Sequence, residues 1–231
     1  QGPRGYNADG NTNINVYTDK TYYYINLSPG QGKRVQPFFQ PTGPIDLEID
    51  QFQDYQFHEV DEYSLANVGR RWFGDRFDIE NSKSFEFEFP DIVASEPASF
   101  KVIVASDAES PTSMQVNVNG SAVTTLNLIG ASDPNLATES FFDGNINLSS
   151  ANVSVDLNFD NGGNPSANGY LDYISIEATR SLNFSGDQFT FRNDVTATST
   201  GIGRYTVSNT SEVSEIWDIT DLYNVTTVVN T

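Results

Sequence analysis

Apolar and polar residues alternate with a period of two along most of the chain after residue 82. Residues 85–89 place three phenylalanines between glutamates, and residues 153–159 repeat the spacing with valine, leucine and phenylalanine. Similar alternation occupies 100–104, 114–118 and 126–128. This period is typical of a strand that turns one face toward a hydrophobic core. The pattern therefore predicts a series of short, half-buried strands.

Turn sequences indicate how these strands connect. Asn119-Gly120 separates 114–118 from 126–128, and Asn-Gly between alternating stretches is a strong hairpin signal. Residues 170–178 are apolar at almost every position, which predicts a central strand, whereas residues 130–149 are polar and predict a long connection. The predicted fold class is all-β: an antiparallel β-sandwich or jelly roll of the galactose-binding-like type, with flanking strands.

The pattern also divides the chain into three segments. Residues 83–182 form the predicted jelly-roll core, 1–82 hold flanking strands and a connector, and 183–231 hold closing strands. A slip in the alternation near Asp50-Gln51 predicts a bulge or turn. Flanking strands are predicted at 14–17, 22–27, 33–39, 45–49, 189–191, 205–207, 216–219 and 225–229.

Charge and composition exclude several classes of partner and site. The formal net charge is −19, which repels nucleic-acid phosphates and anionic lipid heads, so no nucleic-acid partner is expected. The chain has no cysteine, which rules out disulfides, thiolate metal ligands and a cysteine nucleophile. No apolar run approaches the ~20 residues that a membrane-spanning helix needs.

Calcium bound in an acidic loop is the one cofactor that the composition leaves open. Asp9-Gly-Asn-Thr-Asn13 resembles the start of an EF-hand loop. It departs from the template because Ile14 stands where glycine is needed and Lys20 where a bidentate glutamate is needed. No cofactor is therefore expected, with loop-bound calcium as a minor alternative to a solvated acidic surface.

Rare residues gather between Phe52 and Phe77. This stretch holds His58, the sole histidine of the chain, and Trp72, one of its two tryptophans. Without a second histidine or a G-x-S-x-G elbow, His58 lacks the partners of a serine triad or a zinc site and is interpreted as structural. Trp72 and Trp217 are interpreted as packing residues, with a sugar-stacking platform as the alternative.

Two adjacent arginines in the same stretch are candidates for ion pairs. Arg70 and Arg71 are expected to bind Glu59, Asp61 or Asp75, and partly buried pairs of this kind would fix the shape of the loop. The stretch is thus predicted to be a clamped connector. Its tryptophan should be largely buried, and at least one of the two arginines should contact a carboxylate.

Asp172 is a separate candidate because of its place in the predicted central strand. In that strand it shares a face with Ile174, so its side chain would point inward. A buried carboxylate needs a cationic or hydrogen-bonding partner. Arg180 and Arg192 are the predicted partners.

Several stretches together resemble one family, and the pattern HE-x-D…GR-x-WFG-x-x-F is the most specific of them. In order, they resemble the region ahead of the peptidase domain in PorU-type sortases of the type IX secretion system, the gingipain-like cysteine endopeptidases of Bacteroidota. The matching stretches are FQPTGP (39–44), FQDYQFHEVDEYSLANVGRRWFGDRF (52–77), NGYLDYISIEATRSL (168–182), QFTFRN (188–193) and YTVSN through IWDITDLYNV (205–225).

The resemblance implies a parent protein at the cell surface, associated with the outer membrane of a Gram-negative bacterium. That parent would remove C-terminal secretion signals from cargo proteins and transfer the cargo to anionic lipopolysaccharide. Its Cys–His pair would lie in a peptidase domain beyond Thr231, so no catalytic residue is carried over. The implied partners are that peptidase domain, an outer-membrane β-barrel of the PorV type and secreted cargo. The structural or docking candidates are His58, Glu59, Asp61, Arg70, Arg71, Trp72, Asp172, Trp217 and Asp218.

The predicted function is a non-catalytic β-sandwich region that supports the peptidase domain and helps to dock a partner or cargo. The alternative is a carbohydrate-binding jelly-roll module, which requires two or three coplanar exposed aromatic rings around Trp72 or Trp217. A glycoside hydrolase that uses two carboxylates is a third hypothesis, but 31 acidic residues offer too many pairs for the sequence to select one.

Overall fold

The structure, a computed structural model, describes residues 20, 22–27, 29–65 and 71–228. Strands dominate this part of the chain, and the all-β fold class is confirmed. The single helix among the described residues, α1, has five residues (Asp194–Thr198). The strands are β1 (Gln36–Pro37), β2 (Leu47–Ile49), β3 (Gln51–Glu59), β4 (Gly74–Phe77), β5 (Ser82–Glu88), β6 (Ala98–Ser106), β7 (Thr112–Val118), β8 (Ser121–Leu128), β9 (Thr138–Ile146), β10 (Asn152–Asp160), β11 (Gly169–Ser181), β12 (Gly203–Tyr205), β13 (Ile216–Asp218) and β14 (Thr226–Val228).

Two sheets form a β-sandwich in the compact unit that contains Gln53–Arg180, here called the sandwich unit. One sheet has the strand order β5-β10-β7-β8. The other has the order β3-β11-β6-β9, and β4 also pairs with β11. The pairs β10–β5, β10–β7, β7–β8, β11–β6, β11–β4 and β6–β9 are all antiparallel.

The inward side chains of both sheets make one continuous core. The predicted alternation is realised most clearly in β10, where every second residue from Val153 to Phe159 is buried. Phe100 and Ile174 from the opposite sheet are fully buried in the same cluster. Each large apolar side chain buried in this way contributes about 1.5–3 kcal/mol, so the core accounts for most of the stability of this unit.

The Asn-Gly turn forms the predicted hairpin between β7 and β8. Asn119 and Gly120 both have positive φ, +49° and +74°. Two successive positive φ values define the turn that matches the twist of an antiparallel hairpin, and asparagine and glycine tolerate them best.

The prediction of a long connection over 130–149 was wrong, because Thr138–Ile146 forms β9. This strand lies at the edge of its sheet and pairs with β6 over its whole length. Its inward Phe142 packs on Phe100, with ring centroids 5.8 Å apart, but its outward Phe141 is exposed. An edge strand with a mostly solvated outer face needs few apolar residues, which explains its weak sequence pattern.

The boundary predicted at residue 82 differs from the division that the contacts show. Both β3 and β4 hydrogen-bond to β11, so residues 53–82 belong to the sandwich unit. The slip predicted near Asp50-Gln51 is present as a break between β2 and β3.

The second unit consists of Tyr22–Phe52 and Ser181–Thr231. It contains a parallel β12–β2 pair and a three-stranded sheet with the order β1-β14-β13. Its small core is formed by Ile49, Phe52 and Leu182. Helix α1 begins after Asn193, whose side chain accepts a hydrogen bond from Thr196 N as an N-cap.

Two flanking strands predicted in this unit are absent from the described residues. Residues 22–27 have no regular structure, and their side chains are almost fully exposed. Residues 189–191 are also irregular, because Phe189 and Phe191 pack edge-on against Phe52 instead of pairing in a ladder. The strand predicted at 14–17 lies outside the described residues. No helix in the described part of the chain has the length and apolar character to cross a membrane.

Candidate functional site

Strand β11 contains an irregularity at Asp172. Relative to β6, Leu171 pairs with Val104 and Tyr173 with Ile103, so Asp172 is the extra residue of a β-bulge. Its side chain is buried, with 4% of the residue exposed. Asp172 binds Arg71, and so does Glu139, which is an outward residue of β9. The side chain of Asp172 therefore lies on the outer face of the sheet, away from the main core.

Arg71 connects these two carboxylates. Its Nη2 atom donates to Asp172 Oδ2 at 2.5 Å and lies 2.7 Å from Glu139 Oε2. The guanidinium also lies over the ring of Phe73, 5.5 Å from the centroid. About half of the arginine side chain stays exposed, whereas that of Asp172 is 5% exposed. One cation thus joins the segment before β4 to β11 and β9, and we call this arrangement the Arg71 clamp.

The electrostatics of Asp172 are unusual for an ion-paired aspartate. Burial raises its pKa to about 7, and Arg71 opposes this shift only in part. Glu59 and Glu139 raise the pKa further because they add negative charge near the same site. Glu59 is itself buried at the end of β3. The clamp is therefore a site with more carboxylates than cations among the described residues.

Asp61 continues this acidic environment on the segment that follows β3. Burial and then the charge of Glu59 raise the pKa of Asp61 to about 6. Its Oδ2 atom is buried and has no hydrogen-bond partner among the described residues. Asp61 and Asp172 are thus two carboxyl groups of this part of the fold whose pKa values are raised, and the charge of Glu59 contributes to both shifts.

The segment before the clamp is held to the outer face of the sheet by aromatic packing. Tyr63 and Phe73 form an antiparallel bridge, with Tyr63 N donating to Phe73 O and Phe73 N to Tyr63 O. Phe73 is buried in a small cluster with Ala105 and Tyr170. The rings of Tyr63 and Tyr170 lie 5.7 Å apart. Tyr63 and Phe73 thus pair with each other and pack against β6 and β11.

His58 forms a second contact between β3 and β4. Its Nε2 lies 2.5 Å from Asp75 Oδ2, and its ring packs on Phe85 at 4.6 Å. Asp75 adopts a positive φ of +43°, which non-glycine residues rarely do. The histidine thus has a carboxylate partner and an aromatic neighbour, which is the environment of a structural residue.

The arginine–carboxylate contact predicted for the connector is confirmed by Arg71, but with different partners. We predicted Glu59, Asp61 or Asp75, whereas Arg71 binds Asp172 and Glu139. Arg70, the other arginine of that prediction, lies outside the described residues.

The predicted partners of Asp172 were wrong. Arg180 binds Asp54 at 2.7 Å and the carbonyl of Pro90, and Arg192 binds Asp194 two residues further on. Arg180 lies eight residues along the same strand, beyond the reach of a side chain. Arg192 belongs to the second unit.

Trp72 is partly buried and so does not match the prediction that it is largely buried. It alternates with Phe73, which takes the buried position of the pair. Successive side chains of an extended chain point to opposite sides, so just ahead of β4 the phenylalanine is buried and the tryptophan lies on the outer side.

Trp217 and Asp218 lie in β13 of the second unit. Trp217 is 54% exposed, and its Nε1 donates to Glu215 Oε2 at 3.0 Å. Asp218 Oδ1 accepts a hydrogen bond from Thr220 N, so it serves a local turn.

Two of these contacts were not anticipated from the sequence. Glu139 lies in the stretch interpreted as a connection, and Asp75 was expected to bind an arginine but contacts His58. Recognising Thr138–Ile146 as an edge strand beside β6 would have placed Glu139 near the outer face. The described residues contain no group of three or more histidine, cysteine, aspartate or glutamate side chains arranged to hold a metal ion.

Comparison with known proteins shows similarity of fold. No family model and no curated protein matches the chain. Among solved structures, the crystal structure of dimeric latent PorU from Porphyromonas gingivalis matches with a TM-score of 0.68 and 16% sequence identity. The match covers 85% of this chain and 19% of the PorU chain. This chain therefore has the fold of a PorU segment and spans about a fifth of the length of that protein.

Carbohydrate-binding modules match over a smaller part of the chain. The CBM36-1 domain of a multidomain xylanase from the hindgut metagenome of Trinervitermes trinervoides matches with a TM-score of 0.35 and 15% identity, over 53% of this chain and 96% of that one. A CBM36 module in complex with calcium and xylotriose matches with a TM-score of 0.34 and 15% identity, over 53% and 98%. At these TM-scores the similarity carries no argument about ligands of this chain.

Proposed function

We propose that this chain is a non-catalytic β-sandwich region of a PorU-type cell-surface sortase, the C-terminal signal peptidase of the type IX secretion system. It supports the peptidase domain of the same protein and takes part in docking a partner or cargo. The observation that carries the proposal is the shared fold with PorU over 85% of the chain. The same similarity supports a location at the outer membrane of a Gram-negative bacterium.

The chemistry of the described residues agrees with a supporting role. The chain has no cysteine and one histidine, and that histidine is bound to Asp75 and packed on Phe85. The Arg71 clamp binds two carboxylates that come from different strands. Such a contact fixes the shape of a connector and supplies no nucleophile.

The proposed partners are the peptidase domain, an outer-membrane β-barrel of the PorV type and secreted cargo proteins. The connector from residue 60 to residue 73 contains most of the motif that resembles the family. Its described residues, 60–65 and 71–73, include Arg71 of the clamp and Phe73 of the cluster with Ala105 and Tyr170, which pack on the sheet. We propose that the clamp keeps this segment in the form that the partner or the peptidase domain recognises.

The test uses the full-length parent protein and the isolated 231-residue chain. The isolated chain should cleave no peptide that carries a C-terminal secretion signal, whereas the full-length protein should cleave it and lose this activity to a thiol-alkylating inhibitor. Cleavage by the isolated chain that persists with the inhibitor would overturn the proposal. A parent sequence without a Cys–His peptidase domain would also overturn it.

The role of the clamp has its own control in the same assay. In the full-length protein, Arg71→Gln should weaken binding to the purified PorV-type barrel or reduce signal cleavage. Arg204→Gln, which removes an exposed pair with Glu48, should change neither. Equal behaviour of the two variants would show that the clamp has no part in docking.

A carbohydrate-binding module is the second candidate, and the exposed indole of Trp217 favours it. An exposed tryptophan on a sheet can stack on the apolar face of a sugar ring. Retardation of the chain in gels that contain neutral polysaccharide, abolished by Trp217→Ala, would support this function. Mobility that does not depend on the polysaccharide would exclude the carbohydrate-binding function.

A further inference from the structure

Three Asn-Gly dipeptides occur in the chain, at 119–120, 161–162 and 168–169. In such a dipeptide the glycine nitrogen can attack the side-chain amide carbon of the asparagine, because glycine has no side chain to obstruct the approach. The rate of this intramolecular reaction depends on how the fold places the nitrogen and the amide relative to each other. The three sites share their reacting groups and differ in their surroundings.

The turn after β10 brings the reacting groups of Asn161 and Gly162 together. Gly163 N donates to Asn161 Oδ1 at 3.0 Å, which folds the asparagine side chain back over the Gly162 nitrogen in an Asx turn. Gly162 N donates to Asp160 Oδ1, also at 3.0 Å. The attacking nitrogen therefore directs its proton at a carboxylate, and the amide carbonyl accepts a hydrogen bond on its oxygen.

These two hydrogen bonds match the demands of the reaction. A general base must lie within about 2.6–3.2 Å of the atom whose proton it takes, and Asp160 Oδ1 meets this condition at Gly162 N. Negative charge develops on the amide oxygen when the nitrogen attacks, and a donor at about 2.7–3.1 Å stabilises it. Gly163 N is that donor. The turn thus supplies both a base and an oxyanion donor to one Asn-Gly pair.

Neighbouring contacts hold this turn in place. A Cβ atom on Gly162 would collide with the carbonyl oxygen of Pro111, so the turn packs closely on the loop before β7. Asn164 Nδ2 donates to Ser110 Oγ of the same loop at 3.3 Å. Asp160 and Gly162 are nevertheless exposed, so water can reach the reaction product.

Asn168 lies in a different environment. Its Nδ2 donates to Asp107 Oδ2 at 2.9 Å, and its Oδ1 accepts from Nε and Nη2 of Arg76. Gly169 is buried in β11, where an added Cβ would collide with the Phe159 ring. The amide is therefore fixed at both its oxygen and its nitrogen, and departure of the nitrogen would break the contact with Asp107.

Asn119 is held by a neighbouring strand. Its Oδ1 accepts from Ser154 N at 2.8 Å, and its own N donates to Ser154 O at 2.9 Å. These contacts direct the amide toward β10 instead of back over Gly120. No carboxylate among the described residues accepts a hydrogen bond from Gly120 N, so this pair lacks the base that Asp160 provides in the turn after β10.

We propose that Asn161 is a site of spontaneous deamidation, with Asp160 as the base that accepts the Gly162 proton. The bond between Gly162 N and Asn161 Cγ forms, and the bond between Cγ and Nδ2 breaks. The proton passes through Asp160 to the leaving nitrogen, which departs as ammonia. One water then opens the cyclic imide to give aspartate or isoaspartate, with no change of oxidation state. This inference does not depend on the proposed function.

The test is incubation of the full-length protein at pH 8, followed by chymotryptic digestion and tandem mass spectrometry. Cleavage after Phe159 and Tyr170 places Asn161 and Asn168 on one peptide, in which fragment ions distinguish them. Asn161 should gain the mass of deamidation several-fold faster than Asn168 and Asn119. Equal rates at the three sites, or a faster rate at either of the other two, would overturn the inference.

Unfolding is the first control, because it removes the turn and leaves the three dipeptides unchanged. In concentrated urea the three asparagines should react at similar rates, and the excess at Asn161 should disappear. An excess that persists in urea would come from the local sequence alone, and it would refute the role of the folded turn.

The variant Asp160→Asn tests the base. Its side-chain oxygen can still accept a hydrogen bond from Gly162 N, but it cannot take up the proton. The rate at Asn161 should fall several-fold, whereas the rates at the other two sites should stay as in the parent chain, which shows that the variant is folded. Asp160→Ser, which also keeps an acceptor without a base, should give the same result.

The matched control for these variants is Asp187→Asn, which removes an exposed carboxylate of the second unit. It should leave the rates at all three asparagines unchanged. A rate at Asn161 that is the same in Asp160→Asn, Asp160→Ser and the parent chain would overturn the inference. An equal fall in Asp187→Asn would also overturn it, because the effect would then come from net charge.

Discussion

Arg71 and Asp172 are 101 positions apart in the sequence, and the arginine Nη2 donates to the aspartate Oδ2 at 2.5 Å. The same nitrogen lies 2.7 Å from Glu139 Oε2, so a single cation joins the connector to two strands of one sheet. Asp172 is buried at a β-bulge, where it has no partner on β6. The contact therefore determines both where the connector lies and how the buried carboxylate is satisfied.

Replacing Arg71 by glutamine should lower the free energy of unfolding of the sandwich unit. The expected loss is roughly 1–3 kcal/mol at pH 8, because Asp172 stays buried without its cation. The loss is smaller than for a fully buried pair, since about half of the arginine side chain is exposed and water can reach the site. Urea unfolding followed by circular dichroism measures it.

The matched control is Arg204→Gln in the second unit. Arg204 donates through Nε and Nη2 to both oxygens of Glu48, but both side chains are more than half exposed. Such surface pairs contribute less than about 1 kcal/mol, so this variant should unfold almost as the parent chain does. Similar losses for Arg71→Gln and Arg204→Gln would contradict a special role of the clamp.

Asp172 should make the stability of the chain depend on pH between about 4 and 7. Its pKa is raised from 3.8 to about 7, so the folded chain binds a proton in this range that the unfolded chain has released. Stability from this group therefore falls as pH rises through this window, and the penalty is fully present above pH 7. The full shift corresponds to at most about 4 kcal/mol of unfolding free energy. Urea unfolding at pH 5 and pH 8 measures the change.

The variant Asp172→Asn isolates this effect from the general charge of the chain. With a net charge of −19, acidification also relieves repulsion among many other carboxylates. The difference in unfolding free energy between Asp172→Asn and the parent chain should favour the variant at pH 8 and be clearly smaller at pH 5, where folded Asp172 is protonated. A difference that is constant between pH 5 and pH 8 would show that Asp172 does not titrate in this window.

The strands of the sandwich could be predicted because burial on one face imposes period two on the sequence. Val153 to Phe159 and the Asn119-Gly120 hairpin are local signals, and the structure forms both where they were predicted. Strand β9 gave a weaker signal, since an edge strand needs apolar residues only on its inner face. The exposed stretch at 22–27 gave a false strand prediction, because β-forming residues do not specify a strand without a partner strand.

The contacts of the candidate site could be predicted only in part, because they are not local. The sequence placed an arginine of the connector on a carboxylate, but it could not show that β11 and β9 bring Asp172 and Glu139 to the same place. Arg180 was the natural partner by proximity along the chain, yet the length of β11 carries it to Asp54. Pairing over long sequence separations depends on strand order, which alternation does not encode.

Gly74→Ala should strongly destabilise the start of β4. A Cβ atom at this position would lie well inside van der Waals contact of the carbonyl oxygen and Cβ of Val60. Backbone atoms cannot move aside cheaply, so the expected loss is at least about 3 kcal/mol or failure to fold. Thermal unfolding followed by circular dichroism gives the result.

The comparison variant is Gly120→Ala in the hairpin turn. Gly120 has φ +74°, but nothing lies within 4 Å of an added Cβ, so only backbone strain of roughly 1–2 kcal/mol is expected. If Gly74→Ala proved no worse than Gly120→Ala, the close approach of β4 to Val60 would be refuted.

The two tryptophans should differ in their access to solvent in the isolated chain. Trp217 is 54% exposed, and Trp72 is partly buried. In the variant Trp72→Phe, where only Trp217 emits, acrylamide should quench the fluorescence more strongly than in Trp217→Phe. Caesium should also quench Trp217 more strongly than iodide at low salt, because Glu215 lies beside its indole nitrogen. Stronger acrylamide quenching of Trp72, or a preference of Trp217 for iodide, would contradict the exposure and the charge environment of Trp217.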